Sequence, residues 1–136
     1  MKLSRPPHQT KRAFTLLEMT VVIMVLLALT KIGMFTSRKM DEWRLGRGAS
    51  EALRTAYSAQ RMYLADNPTV QVADLTAPLL IPYLPNNAAA MPTVKSLTGA
   101  NLALIVNVSP PVINAGAGVT YDPSGNNRDS LWDVGE

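Results

Sequence analysis

There is no cysteine among the 136 residues and only one histidine, His8, which sits in a basic N-terminal stretch. The main body therefore lacks a thiolate nucleophile, an imidazole base and a Cys/His zinc site, and most familiar hydrolase chemistry goes with them. No carboxylate pair is framed as an acid and base and no Gly-rich phosphate loop is present, so an enzyme is not expected. Positive charge is scarce beyond the first residues. Lys2, Arg5, Lys11 and Arg12 precede residue 14 with no acid among them, whereas residues 14–136 hold nine basic against ten acidic side chains. The pI of about 9.5 describes that arm, and the remainder has no net positive field to hold a phosphate backbone, so nucleic acid is not an expected partner. Charged residues make up 17% and aromatics 6%, yet 47% hydrophobic content is too apolar for a disordered chain. The length allows one globular domain at most.

What is present divides by composition into four stretches. Residues 1–13 combine two prolines with four cations and read as a leader. Residues 14–35, FTLLEMTVVIMVLLALTKIGMF, span about 33 Å as a helix, the thickness of a bilayer's hydrocarbon core. A secretory signal peptide would be cut after a shorter apolar core at a small residue, but the helical pattern continues. From 36 to 66, Leu45, Ala49, Ala52, Leu53, Ala56, Gln60, Tyr63 and Leu64 recur at helical steps and define an apolar face. Arg47, Arg54 and Arg61 line the other side, with Glu51 spaced to pair with Arg47 and Arg54. Asn67-Pro68 ends this helix. Residues 67–136 carry eight of the ten prolines and read as loop with short strands. Ala103–Val108 is the best strand candidate, with Val119–Tyr121 and Leu131–Val134 as its partners. A sheet this small needs the amphipathic half-helix to cover one face.

The run Lys11-Arg12-Ala13-Phe14-Thr15-Leu16-Leu17-Glu18-Met19, opening an apolar stretch, resembles the start of a type IV prepilin. The likeness is close over residues 11–35 and architectural over 36–66. In the tail, Pro82-Tyr83-Leu84-Pro85-Asn86 is similar to the region after the long helix in type II secretion pseudopilins. The resemblance implies cleavage between Ala13 and Phe14, N-methylation of Phe14 and an assembly role for Glu18. It also implies an α+β, pilin-like fold, with one long N-terminal helix packed on a small loop-rich antiparallel sheet. The implied partners are other copies and minor pilins in a polymer, a prepilin peptidase, an assembly ATPase with its inner-membrane platform protein, and a secretin in double-membrane cells. The implied location is a single pass through the inner membrane, with the leader cytoplasmic and the C-terminal region periplasmic or extracellular, and afterwards the filament. Ala13 stands where the family usually has Gly, and Phe35 where many members have a helix-bending Pro, with Gly33 nearby.

Glu18 stands out without the family. A carboxylate one turn into an apolar membrane segment costs about 2 to 3 kcal/mol or more unless compensated. An amine freed at Phe14 in a neighbouring copy would compensate it in low dielectric and set the stagger between helices. The blander reading places Glu18 at the headgroup level, favoured by the helix dipole. For the leader, the alternative is an uncleaved signal anchor of a periplasmic binding module that never polymerises. The Arg47, Arg54, Arg61 stripe reads first as a solvated helix face. Its sharper readings are contact with acidic patches on adjacent subunits or capture of DNA, and Asp41, Glu42 and Glu51 argue against DNA.

In the tail, Asp122, Ser124, Asn126, Ser130 and Asp133 occupy positions 1, 3, 5, 9 and 12 of a twelve-residue window, with Asp129 between them. The spacing invites calcium, which the major pseudopilins bind in C-terminal loops, and a metal would staple a tail that has no disulfide. It is not an EF-hand loop, because Asn127 holds the required Gly position and no Glu closes the window. The preferred reading is a D-P-S-G turn with Asn and Asp as turn formers. Leu131 and Trp132 read as a plug docking the tail on the helix, and Tyr57, Tyr63 and Tyr83 as half-buried packing. The expectation is a structural subunit of a type II secretion pseudopilus or type IV pilus, with the small cysteine-free tail leaning toward the pseudopilus.

Overall fold

A computed structural model describes residues 15–135; the Ala13 and Phe14 positions of the expected cleavage and methylation lie outside them. The chain is α+β, with one long N-terminal helix followed by a loop-rich region of short antiparallel strands. It divides into two compact units, one ending at Arg38 and the other beginning at Lys39.

Helix α1 runs Leu16–Asp66, 51 residues. At its start the Thr15 hydroxyl accepts the Glu18 N–H at 3.2 Å, the bond an N-cap side chain makes. At its end Asn67 precedes Pro68, whose ring disfavours helical geometry there. The Asn67 backbone N–H and side-chain amide both donate to the Tyr63 carbonyl, at 2.9 and 3.0 Å, and close the last turn.

In the first unit, every described residue is exposed, including Leu16 at 85% and Phe35 at 66%. The hydroxyls of Thr20, Thr30 and Thr36 donate to carbonyls three or four residues earlier. That satisfies their donors inside the helix and leaves an apolar surface. With a mean hydropathy of 2.1 over its most apolar window, this is a helix long and apolar enough to cross a membrane.

In the second unit, α1 turns one face of small residues to the loops: Gly46, Ala49, Ser50, Leu53, Ala56, Ala59 and Gln60 are buried. Ala49 and Leu53 pack with Val94, Ile113 and Trp132, and Ala59 packs with Leu75, Leu80, Leu84 and Val106. Leu53, Leu80 and Ile113 are fully buried, each worth about 1.5 to 3 kcal/mol of transfer free energy. The exposed face carries ion pairs Lys39–Glu42 at 3.0 Å and Arg44–Asp41 at 3.9 Å; such pairs contribute little.

A short helix α2 (Ala77–Leu80) follows, among single 3₁₀ turns. The strands then form two sheets rather than the one expected. β1 (Val94–Lys95) pairs with β2 (Asn101–Leu102), and β3 (Leu104–Ile105), β4 (Val112–Gly116) and β5 (Val119–Thr120) pair in that order, all antiparallel. The 103–108 strand is reduced to Leu104–Ile105. Continuing the register past Ile105–Val112 would set Val106 and Asn107 opposite Pro111 and Pro110, which have no N–H to give a ladder, while the buried Gln60 amide of α1 donates to the Val106 and Val108 carbonyls at 2.9 and 2.8 Å. Leu131–Val134 is no strand. Ser130 and Trp132 have φ of +56° and +67°, a left-handed backbone that breaks an extended repeat, and the segment binds α1 instead.

Candidate functional site

Two places concentrate unusual chemistry, one in each unit. In the first, Glu18 lies on the third residue of α1, exposed among exposed apolar side chains such as Leu16, Leu17 and Val22. Thr15-Leu16-Leu17-Glu18 has the spacing of a capping box, and a carboxylate in the first turn complements the partial positive charge of the helix N-terminus. Lys31 is the one other charged residue of the 14–35 stretch. Among the described residues, neither the Glu18 carboxylate nor the Lys31 ammonium has a hydrogen-bond or ion-pair partner.

In the second unit, residues 130–135 form a strap across α1. The Trp132 N–H donates to the Gly46 carbonyl at 3.1 Å. The Arg54 guanidinium donates to the Val134 carbonyl at 2.8 Å and to the Ser130 hydroxyl at 3.1 Å. The Trp132 side chain is 5% exposed and meets Tyr121 edge-on, with ring centroids 5.4 Å apart. Gly46 is what lets the indole in, since a Cβ there would stand 2.9 Å from the indole nitrogen. Leu131 and Trp132 thus form the expected plug. The arginine stripe is more engaged than a solvated face: Arg54 holds the strap, while Arg47 and Arg61 lie over the rings of Trp43 and Tyr57 at 5.7 and 5.8 Å. Tyr57, Tyr63 and Tyr83 are half-buried, and the Tyr83 hydroxyl donates to Asp66 at 2.9 Å. That hydrogen bond, with desolvation behind it, raises the Tyr83 pKa above its ordinary value.

The oxygens expected to invite calcium are mostly occupied by turns. Asp122 accepts from the backbone N–H and hydroxyl of Ser124, at 3.0 and 2.8 Å. The Ser124 hydroxyl oxygen accepts in turn from the Asn126 N–H at 3.2 Å. Asn126 accepts from the Arg128 N–H and Asp129 from the Leu131 N–H. Among the described residues no group of three or more His, Cys, Asp or Glu is placed to hold a metal ion. The hydrogen bonds are those of Asx turns.

Asp133 is the exception, for both its carboxylate oxygens are buried with no partner in hydrogen-bond geometry. Asp133 is one of the residues lining a cavity of about 270 Å³, with Pro111, Val112, Thr120, Asp122, Asn127 and Trp132 among the others. Desolvation pushes the Asp133 carboxyl above its ordinary 3.8, opposed by the Gly135 N–H, reinforced by Asp129 and Asp122, and opposed again by Arg54. An acid whose folded pKa is raised contributes its stability while protonated in both states, below about pH 4, and loses it as pH climbs through the folded value. Asp133→Asn is therefore expected to raise the melting midpoint near pH 7 by a few degrees and to flatten its fall above pH 4. Melts of the full chain in detergent with a chelator check this; an unchanged or lower midpoint near pH 7 contradicts it.

No protein-family model, curated protein or solved structure matches the chain. What it does must be read from its own residues. Sequence reasoning singled out Glu18 and Trp132, but it missed Arg54 as the strap's anchor and Gly46 as its seat. The signal for Gly46 was an unforced glycine inside a helical pattern, which marks a close approach.

Proposed function

We propose that the chain is a structural subunit of a pilin-like filament, a type II secretion pseudopilus or a type IV pilus, assembled through its N-terminal helix after removal of residues 1–13. The observation that carries this reading is the first unit of α1: some twenty consecutive exposed residues, mostly apolar and uncharged but for one acid near one end and one base near the other. A bilayer accommodates the apolar surface and leaves an intramembrane carboxylate costly, which makes Glu18 a functional residue by default. An array of like helices meets both needs, covering the apolar surface and offering Glu18 a cation from another copy. The amine freed at Phe14 is one such cation.

In this reading the subunit waits in the inner membrane with its leader cytoplasmic and its C-terminal unit on the far side. A prepilin peptidase cleaves between Ala13 and Phe14 and methylates Phe14. An assembly ATPase, acting through a platform protein, then extracts the subunit into the filament. The compact second unit would stay folded throughout and decorate the filament surface, its strap keeping the tail on the helix.

The test is assembly itself. With the full chain co-expressed alongside a peptidase, ATPase and platform protein, shearing should release filaments containing this chain, visible by electron microscopy. A chain that stays wholly in the membrane fraction with those components working would contradict the proposal and favour an uncleaved anchor.

A further inference from the structure

We infer that Glu18 and Lys31 form an ion pair between two copies of this chain, their α1 segments parallel and staggered by about 13 residues, roughly 20 Å along the axis. The inference rests on the filament-subunit reading and names which surfaces of the subunit meet.

The two residues are the only charges of the 14–35 stretch, and they are of opposite sign. Both belong to a segment that is exposed throughout, and among the described residues neither side chain has a partner. They cannot serve each other within one helix, where side chains three or four apart are neighbours and those some 20 Å apart are not. At about 100° per residue, 13 residues make three turns and roughly 220°, so the two side chains leave the helix on nearly opposite sides. Each is also four residues in from its end of the stretch, Glu18 from Phe14 and Lys31 from Phe35, about 6 Å inside the apolar length. Lipid tails match the surface between them and offer neither charge a partner. The Lys31 stem reaches outward more readily than the short Glu18 side chain.

A second copy supplies what is missing, but only when displaced. Two copies level in the membrane set Glu18 beside Glu18 and Lys31 beside Lys31. Displacing one along the axis by about 13 residues sets Glu18 of one against Lys31 of the other, with apolar side chains packed above and below. Because the two charges lie on opposite faces, each copy uses one face toward one neighbour and the other toward the next. Such a head-to-tail contact does not close on itself and propagates as an open array. The amine at Phe14 reaches Glu18 at a stagger of four residues, about 6 Å, and so comes from a different neighbour. Pairing is thereby withheld from level subunits in the bilayer and becomes available to a subunit moved along the axis.

The absence of cysteine makes the contact directly testable. Val22 and Met34 lie about one turn beyond Glu18 and Lys31 on the same faces. In sheared filaments of the full chain, Val22→Cys with Met34→Cys should oxidise to a ladder of dimers, trimers and higher species, because each copy links in both directions. Either single variant should not ladder. Lys31→Gln should lower the sheared filament yield about tenfold while Lys31→Arg retains it, since Glu18 then loses its cation at the 13-residue stagger and keeps only the amine of the other neighbour. Filaments that form normally, show no ladder and tolerate Lys31→Gln would overturn the pairing and leave the subunit reading in place. A chain that keeps residues 1–13 and forms no filament would overturn both, and the N-terminal mass distinguishes the two outcomes.

Discussion

Glu18→Ala is expected to abolish sheared filaments while increasing the amount of processed subunit held in the membrane. The two changes have opposite signs for one reason. In the bilayer the carboxylate is a cost of about 2.5 to 3.5 kcal/mol at mid-depth, less nearer the surface, and its removal makes the inserted state more favourable. In the proposed filament the carboxylate would compensate a cation on a neighbouring copy, and breaking such a desolvated pair by removing one partner costs about 3 to 5 kcal/mol. At about 1.4 kcal/mol per tenfold, each subunit contact weakens by two orders of magnitude or more, and the loss recurs at every subunit. Glu18→Gln should assemble no better than Glu18→Ala if charge is what matters. Quantifying subunit in the sheared and membrane fractions checks both halves; a fall in both fractions would point to instability instead. If Glu18 did no more than cap the helix and complement its dipole, worth about 0.3 to 1 kcal/mol, filament yield would hardly move.

Trp132→Ala is expected to destabilise the C-terminal unit by about 3 to 5 kcal/mol, the cost of truncating a buried aromatic. Trp132 is 5% exposed and packs with Ala49, Leu53, Val94 and Ile113. Beneath it, Gly46 makes a sharper test of the same contact. Alanine in a helix interior is ordinarily about 1 kcal/mol better than glycine. At Gly48, where a Cβ would meet open space, Gly48→Ala should therefore stabilise. At Gly46 the new Cβ would press on the indole nitrogen at 2.9 Å and on Leu131 at 3.2 Å, so Gly46→Ala should destabilise and release the strap. Denaturant unfolding of the three variants checks the order; equal effects of the two glycine substitutions would mean the strap is not seated on Gly46.

The helix was legible from end to end because its signals are local. The apolar run of 14–35, the three- and four-residue spacing beyond it and the stop at Asn67-Pro68 each act through neighbouring residues. The strands were legible only as composition. Two-residue strands such as β1 and β2 are too short to carry a periodic signal, and the 103–108 ladder stops where its register would set Pro110 and Pro111 against it. The strap was legible in its apolar plug and not in its geometry, since the left-handed Ser130 and Trp132 follow from docking on α1 and not from local preference. Glu18 was legible because an acid in an apolar run is anomalous anywhere. Lys31 gains meaning only once the helix is seen to turn its two charges to opposite sides.

Intact mass and N-terminal fragmentation of the membrane-extracted full chain, with and without a co-expressed prepilin peptidase, tests the central claim most directly. The expected result with the peptidase is a mature chain beginning at Phe14, shortened by residues 1–13 and carrying one added methyl group on Phe14; without the peptidase the leader is retained. An intact leader in the presence of a peptidase that processes another substrate in the same cells would contradict the filament reading and leave a membrane-anchored module in its place.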